Sequence, residues 1–240
     1  PVTSSSRAGS GLLALLIVVL AAGPAHAKSF TLPEADVSVE ILKDGSVRVT
    51  EDITYAFDGS FSGGYRDIPV RAGERISNIA VSEGGTRYTS GASAELGSFG
   101  VPDSFGVAPI PDGTRVVWHY SAFNEVRTFT ITYTFRGLVR AYDDVGDLTL
   151  QVWGDEWEES LGSLTASITL PGEAPDEVRV WGHSRVSEGH TELRDDGSPC
   201  IPGGCRLLRR SCVDVAVQAL SEVLGGRVRA LRLTAWSRFR

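Results

Sequence analysis

Five acidic residues gather around one short apolar segment and form the first candidate site. Asp143, Asp144, Asp147, Asp155 and Glu156 flank the run at 148–153. Glycoside cleavage needs two carboxyl groups, one protonated and one ionised, at a set separation. Spacing along the chain does not set that separation, and acids at strand ends commonly cap turns or face water. The pattern therefore favours ordinary turn acids, and we expect a non-catalytic chain with no cofactor.

The same stretch offers oxygen ligands for a hard cation. Calcium takes six to eight oxygens, and Asp143, Asp144 and Asp147 could supply some of them. Their spacing does not match the twelve-residue calcium loop. Calcium binding stays an alternative to plain turn acids. The sequence contains neither a G-x-S-x-G elbow nor an H-E-x-x-H helix motif, so no hydrolase signature competes with it.

A glycine-rich segment carries the second candidate site. In residues 58–69 two glycines precede Tyr65, Arg66 and Asp67, and no regular element fits the run. Glycine allows sharp backbone geometry and an arginine can fork onto a carboxylate, so the segment predicts a shaped loop. Binding residues often lie on such loops, which makes these three side chains candidate binding residues. The alternative is an internal ion pair between Arg66 and an aspartate.

Two tryptophans four residues apart form the third candidate site. Trp153 and Trp157 could present aromatic faces to a sugar or a protein. Leu150 and Val152 adjoin them, which favours packing of the large rings in the core. Both interpretations remain open from the sequence.

The elements that must position these residues are strands, since apolar residues alternate with polar ones along most of the chain. Residues 35–57 predict a hairpin, with alternation on both sides of an Asp44-Gly45 turn. Residues 115–135 predict a second hairpin. Further strands are expected around 76–81, 148–153, 164–170 and 178–180, and a long loop at 90–114. About eight strands without a clear helix predict an all-β, antiparallel β-sandwich.

The two ends of the chain differ from this pattern. A signal peptide is predicted at 1–27 from Arg7, the apolar run 12–22 and an A-x-A ending. The apolar run is too short to span a bilayer. Residues 28–195 are then the extracytoplasmic β domain. In the tail, 196–240, arginine is dense and 213–224 has helix-like apolar spacing. The tail predicts either an amphipathic helix or a segment translated out of frame. The second alternative corresponds to a truncated or frameshifted gene.

Charge and cysteine usage narrow the classes of partner. The net charge of −7 argues against nucleic acid, which requires a basic face, and against adhesion to anionic lipid. The three cysteines, Cys200, Cys205 and Cys212, match neither a metal site nor a disulfide framework. We therefore expect an envelope protein or a glycan as the partner.

Four stretches in order resemble the domain of unknown function 2207 family, the N-terminal exported domain of predicted bacterial membrane proteins. They are "ADVSVEILKDGSVRVTEDITYAF" at 35–57, "GGYRDIPV" at 63–70, "RTFTITYTFRGLVRAYDDVGDLTLQVWGDEWE" at 127–158 and "SLTASITLPG" at 163–172. The resemblance implies a signal peptide, an extracytoplasmic β domain and membrane helices further along the gene. It implies no established activity.

Together these inferences predict a non-catalytic extracytoplasmic domain that binds or scaffolds at the cell envelope, held at the membrane by regions outside this sequence. A calcium- or carbohydrate-binding module is the alternative, followed by a carboxylate-dependent glycoside hydrolase.

Overall fold

The structure is a computed structural model that describes residues 27–142, 145–154, 157, 159–171, 178–184, 192–193, 199–207 and 213–220. The described residues form strands and no helix. In chain order the strands are β1 (Ser29–Thr31), β2 (Ala35–Ile41), β3 (Val47–Asp58), β4 (Ser60–Pro69), β5 (Arg75–Glu83), β6 (Thr86–Arg87), β7 (Thr89–Ser90), β8 (Ser104–Ile110), β9 (Gly113–Phe123), β10 (Val126–Arg136), β11 (Val139–Ala141), β12 (Val145–Trp153), β13 (Leu161–Thr169), β14 (Val178–Ser184), β15 (Glu192–Leu193), β16 (Pro199–Leu207) and β17 (Val213–Leu220). The predicted all-β class is confirmed.

Three sheets contain these strands. The main sheet has the order β15-β16-β13-β2-β3-β10-β5-β6, with β1 beside β3. The second sheet is β4-β9-β8-β7 and the third is β11-β12-β17-β14. Most neighbours are antiparallel, as predicted, but β13 runs parallel to β2 and β7 runs parallel to β8.

The first predicted hairpin is confirmed at the centre of the main sheet. Strands β2 and β3 pair antiparallel from Ala35 opposite Ile53 to Ile41 opposite Val47. Gly45 has a φ of 75° in the connecting turn, a conformation that glycine adopts at little cost. Asp44 Oδ1 accepts a hydrogen bond of 3.0 Å from the backbone N–H of Ser46 and closes the turn. Burial alternates along β2, as a half-buried strand requires.

The second predicted hairpin is wrong, because β9 and β10 belong to different sheets. Strand β9 pairs with β4 and β8, whereas β10 pairs with β3 and β5. The chain turns the corner at Asn124, whose φ is 48°. Alternating apolar residues suit two strands that face each other across a core as well as two that pair side by side. Here Tyr120 and Phe129 meet across the core, with ring centroids 4.6 Å apart.

Two segments expected to lack regular structure are strands. Residues 60–69 form β4, and residues 104–110 form β8 inside the predicted loop 90–114. Both pair with β9, which lies between them. A central strand with a buried aromatic face can hold neighbours whose own sequences carry little β signal. Residues 91–103 have no strand assignment and connect β7 to β8.

The described parts of the tail, 199–207 and 213–220, are strands and not a helix. Val213–Leu220 is β17 and lies between β12 and β14, so the helix interpretation is wrong there. Val213 and Val217 are four residues apart, which fits both helical and alternating periods, but Val215 and the β-branched composition favour a strand. Strand β16 pairs with β13, so hydrogen bonding crosses the predicted boundary at 195. The predicted signal segment lies almost wholly outside the described residues.

One apolar core joins all three sheets. It includes Val49 and Ile131 of the main sheet, Trp118 of the second and Leu148 of the third, all essentially buried. Within the part of the chain that the structure describes, no helix has the length and apolarity needed to cross a membrane.

Candidate functional site

A buried charged cluster connects the main and second sheets. The Arg66 guanidinium lies 3.0 Å from Glu51 Oε2 through Nε and 3.3 Å from Oε1 through Nη2. Tyr133 Oη donates a third hydrogen bond to Glu51 Oε1 at 2.6 Å. Only 3% of Arg66 and 2% of Glu51 are exposed. A buried ion pair is tolerated when hydrogen bonds satisfy both partners, and this carboxylate accepts three.

The third sheet reaches the same cluster through aromatic rings. The Arg66 Cζ atom lies 5.5 Å from the Trp157 ring, and that indole stacks on Trp153 with centroids 4.6 Å apart. Arg66 Nη1 also donates to the Asp67 carbonyl oxygen at 2.8 Å. Burial, followed by the charge of Glu51, raises the pKa of Tyr133 well above its usual value. The cluster therefore holds β4 in place, with its charges engaged inside the protein.

The outward face of the second sheet is covered by residues 91–103, which we call the apolar loop. Its residue Ser93 places a carbonyl oxygen 3.2 Å from Nε2 of the buried His119. The Asp103 N–H donates to the His119 carbonyl oxygen at 2.9 Å. Gly100 lies so close that an added Cβ would fall 2.3 Å from His119 Cδ2. The loop is thus seated on β9 and not suspended in solvent.

Hydrogen bonds also order the apolar loop internally. The N–H groups of Gly91 and Ala92 both donate to the Phe105 carbonyl oxygen at 3.0 Å. Ser98 donates to the Glu95 carbonyl oxygen through its N–H at 3.2 Å and through its hydroxyl at 2.7 Å. A loop fixed in this way presents its side chains in one arrangement before any partner arrives, which lowers the entropic cost of binding.

Large apolar side chains project into water from the apolar loop and from the β9–β10 corner. Phe99 on the loop is 94% exposed, and Phe123 at the end of β9 is 65% exposed. Along the end of β9 Tyr120 and Ala122 are buried, whereas Phe123 is exposed and points away from the core. We call the following five exposed residues the apolar end: Leu96, Phe99, Val101, Phe123 and Val126. Large apolar side chains that a fold leaves in water can mark an interaction site.

The corner that carries Phe123 and Val126 is braced by Arg127. Its guanidinium forms an ion pair with Glu83 of β5 and donates through Nη1 to the Ser121 carbonyl oxygen at 2.7 Å. It also lies 5.3 Å from the Tyr120 ring. Burial opposes ionisation of Glu83, but hydrogen bonds from Arg127 and Tyr88 outweigh it and lower the pKa of that carboxyl. The corner is therefore rigid where its apolar side chains emerge.

A family model described as the N-terminal domain of predicted membrane proteins, DUF2207, matches residues 31–200. The chain belongs to this family. No curated protein matches this DUF2207 chain in sequence.

Solved structures resemble the DUF2207 chain at low identity. A putative nutrient binding protein from Legionella pneumophila is 8% identical, with a TM-score of 0.48, over 78% of this chain and 66% of that one. An M1 zinc metallopeptidase from Deinococcus radiodurans is 11% identical, with a TM-score of 0.40, over 78% and 42%. Leukotriene A4 hydrolase from Saccharomyces cerevisiae is 12% identical, with a TM-score of 0.45, over 79% and 29%. The chain thus spans less than two thirds of each, and these likenesses carry no functional argument.

The structure places the predicted binding residues of the DUF2207 domain in three settings. Arg66 is buried against a glutamate, not against an aspartate. Asp67 forms a two-pronged ion pair with Arg115, at 2.7 and 2.6 Å, and the exposed Tyr65 ring lies 5.4 Å from the same guanidinium. Trp153 is buried and Trp157 is partly buried against it. Arg66, Trp153 and Trp157 are therefore brought together, whereas Tyr65 and Asp67 face outward.

The acids that were considered as metal ligands, or as catalytic groups in the less favoured alternative, fall largely outside the described residues. Asp143, Asp144, Asp155 and Glu156 are among those that the structure does not describe. Asp147 lies on β12, in register with Arg140 of β11. Among the residues described, no group of three or more potential ligands could hold a metal ion.

Sequence reasoning missed two parts of the site. Glu51 occupies an inward position of β3, in phase with Val49 and Ile53, and a lone acid at a core position was the available signal. The apolar loop offered Phe99 between Ser98 and Gly100, which reads as an unremarkable loop residue until its exposure is known.

Proposed function

We propose that this chain forms a non-catalytic extracytoplasmic domain that binds or scaffolds at the cell envelope through its apolar end. The observation that carries the proposal is the exposure of Phe99 on a loop that hydrogen bonds hold in place. An aromatic ring kept in water forfeits about 1.5–3 kcal/mol of burial energy. Such a cost is offset when the ring has a partner to enter.

Two observations support a location at the extracytoplasmic side of the membrane. Its description as a predicted membrane protein supports membrane association, and the predicted signal segment supports export. A cysteine at position 43, which is exposed in the β2–β3 turn at the other end of β3 from Val126, tests the orientation with a thiol reagent that does not cross membranes. We expect Lys43→Cys to be labelled in intact cells above the level of the parent chain. Labelling that requires permeabilised cells would contradict an extracytoplasmic location.

Binding is tested by a photoreactive side chain placed at residue 99 of the full chain in living cells. We expect adducts with envelope material from position 99. The matched control is position 107, because Val107 is exposed but lies on β8 away from the apolar end. Equal adducts from both positions, or none from position 99, would count against a binding role for the apolar end.

A further inference from the structure

We infer that the partner of the apolar end is an uncharged or zwitterionic lipid surface, into which Phe99 and Phe123 insert. This inference rests on the proposed function and names its ligand. Two separate chain segments, the apolar loop and the β9–β10 corner, supply the apolar end. Both project outward from ordered supports, as side chains must in order to enter the interface of a bilayer.

The charges of this end select the type of lipid. The apolar loop contains Glu95 and Asp103 and has neither lysine nor arginine. At the corner Glu125 lies 3.8 Å from Arg127, whose stronger partner is Glu83. The nearby Lys28 ammonium lies 4.9 Å from the Phe61 ring. Among the residues that the structure describes, this end therefore offers no basic cluster to attract anionic headgroups, and its acids disfavour them.

The size of the apolar end favours a lipid surface over a protein. A stable protein interface buries about 800 Å² on each partner and uses roughly 20–30 residues a side. Five side chains on two projections offer far less than that. Weak insertion suffices at a bilayer if the domain is already held beside it, since tethering raises the effective concentration to the millimolar range. The family is described as predicted membrane proteins, whose membrane regions would hold the domain beside the bilayer.

Vesicle flotation of the full chain tests the inference. We expect binding to phosphatidylcholine vesicles, weaker binding when phosphatidylglycerol is added, and little change with salt. Phe99→Ser and Phe123→Ser should each lower the partition coefficient about tenfold, the loss expected for one buried aromatic side chain. The control Val107→Ser should bind as the parent does. All variants keep residues 1–27, so any contribution from the apolar run 12–22 is common to them.

Insertion is measured directly with a tryptophan reporter. We expect brominated phosphatidylcholine to quench Phe99→Trp more than the parent chain, and Val107→Trp no more than the parent chain. Unchanged flotation of Phe99→Ser and Phe123→Ser, or equal quenching at 99 and 107, would overturn the lipid inference. Protein adducts from a photoreactive residue 99, without lipid adducts, would also overturn it while leaving the proposed binding function in place. Absence of any adduct would remove both.

Discussion

Glu51 and Arg66 form a buried ion pair beside the apolar core. Their contacts of 3.0 and 3.3 Å, with the Tyr133 hydroxyl as a further donor, satisfy the carboxylate. Desolvation of such a pair offsets most of its attraction, so its net contribution to stability is small. Removing one partner is different, because the remaining charge is left buried without compensation. The pair therefore constrains how β4 sits on β3 more than it adds stability.

The substitution Arg66→Ala should lower the free energy of unfolding by about 3–5 kcal/mol, because it leaves the Glu51 carboxylate buried without its ion-pair partner. Arg48→Ala is the matched control, because Arg48 pairs with Glu40 on an exposed surface and should change stability by less than about 1 kcal/mol. Urea titration followed by tryptophan fluorescence measures both. Replacing the pair together, Glu51→Leu with Arg66→Met, should recover much of the loss. A melting temperature of Arg66→Ala equal to that of the parent would contradict this account.

At this scale the sequence predicted part of the site. The pattern predicted that Arg66 would either bind a ligand or pair with an aspartate, and its partner is a glutamate instead. The partner is 15 residues away in sequence and on a neighbouring sheet. Alternation along β3 puts Glu51 in phase with Val49 and Ile53, although this signal was not used to predict the site. It could not show which basic residue would meet it, because that depends on how the sheets pack.

The β9–β10 corner is the element that joins the main and second sheets at the apolar end. Arg127 links three strands there: it is part of β10, forms an ion pair with Glu83 of β5, and donates to Ser121 of β9. Sequence alternation predicted both strands of the corner correctly. The prediction that the two strands pair with each other was wrong, because side-by-side pairing and face-to-face packing need the same pattern of apolar residues.

Glu83 should make the stability of this corner depend on acidity. The pKa of Glu83 in the folded protein lies below its ordinary value of 4.5, so its ion pair contributes stability above that pH and loses it as the pH falls through the folded pKa. Thermal melts in buffers from about pH 6 to 3 should show a shallower acid loss in Glu83→Gln than in the parent. Glu34→Gln, which removes an exposed carboxylate, controls for the loss of one negative charge. An unchanged slope in Glu83→Gln would contradict the assignment.

Strand β4 shows why local signals failed for one element. Its glycines suggested a loop, yet an added Cβ on Gly64 would lie 2.7 Å from Trp118 Cζ2. Trp118 is fully buried, so the strand needs a residue without a side chain where the indole passes. The tryptophan and the glycine are 54 positions apart, so this requirement is visible only in three dimensions.

At the scale of the whole molecule, strands that come late in the chain complete two of the three sheets. Strand β16 extends the main sheet beyond β13, and β17 lies between β12 and β14 in the third sheet. The all-β class followed from local alternation in residues 35–180, whereas the strand at 213–220 was predicted to be helical or out of frame. The order of the strands did not follow from alternation, because parallel pairing of β13 with β2 and the central position of β17 depend on contacts between distant segments.

Deleting β17 should therefore damage the third sheet. A chain that ends at Leu207 leaves β12 and β14 without their shared neighbour, and β12 carries the buried Leu148 and Trp153 of the common core. We expect a lower melting temperature and loss of the near-ultraviolet circular dichroism of the stacked Trp153 and Trp157. A chain that ends at Leu220 keeps all four strands and should preserve both signals. If the chain ending at 207 melts like the longer one, residues 213–220 contribute nothing to the fold, as an out-of-frame tail would predict.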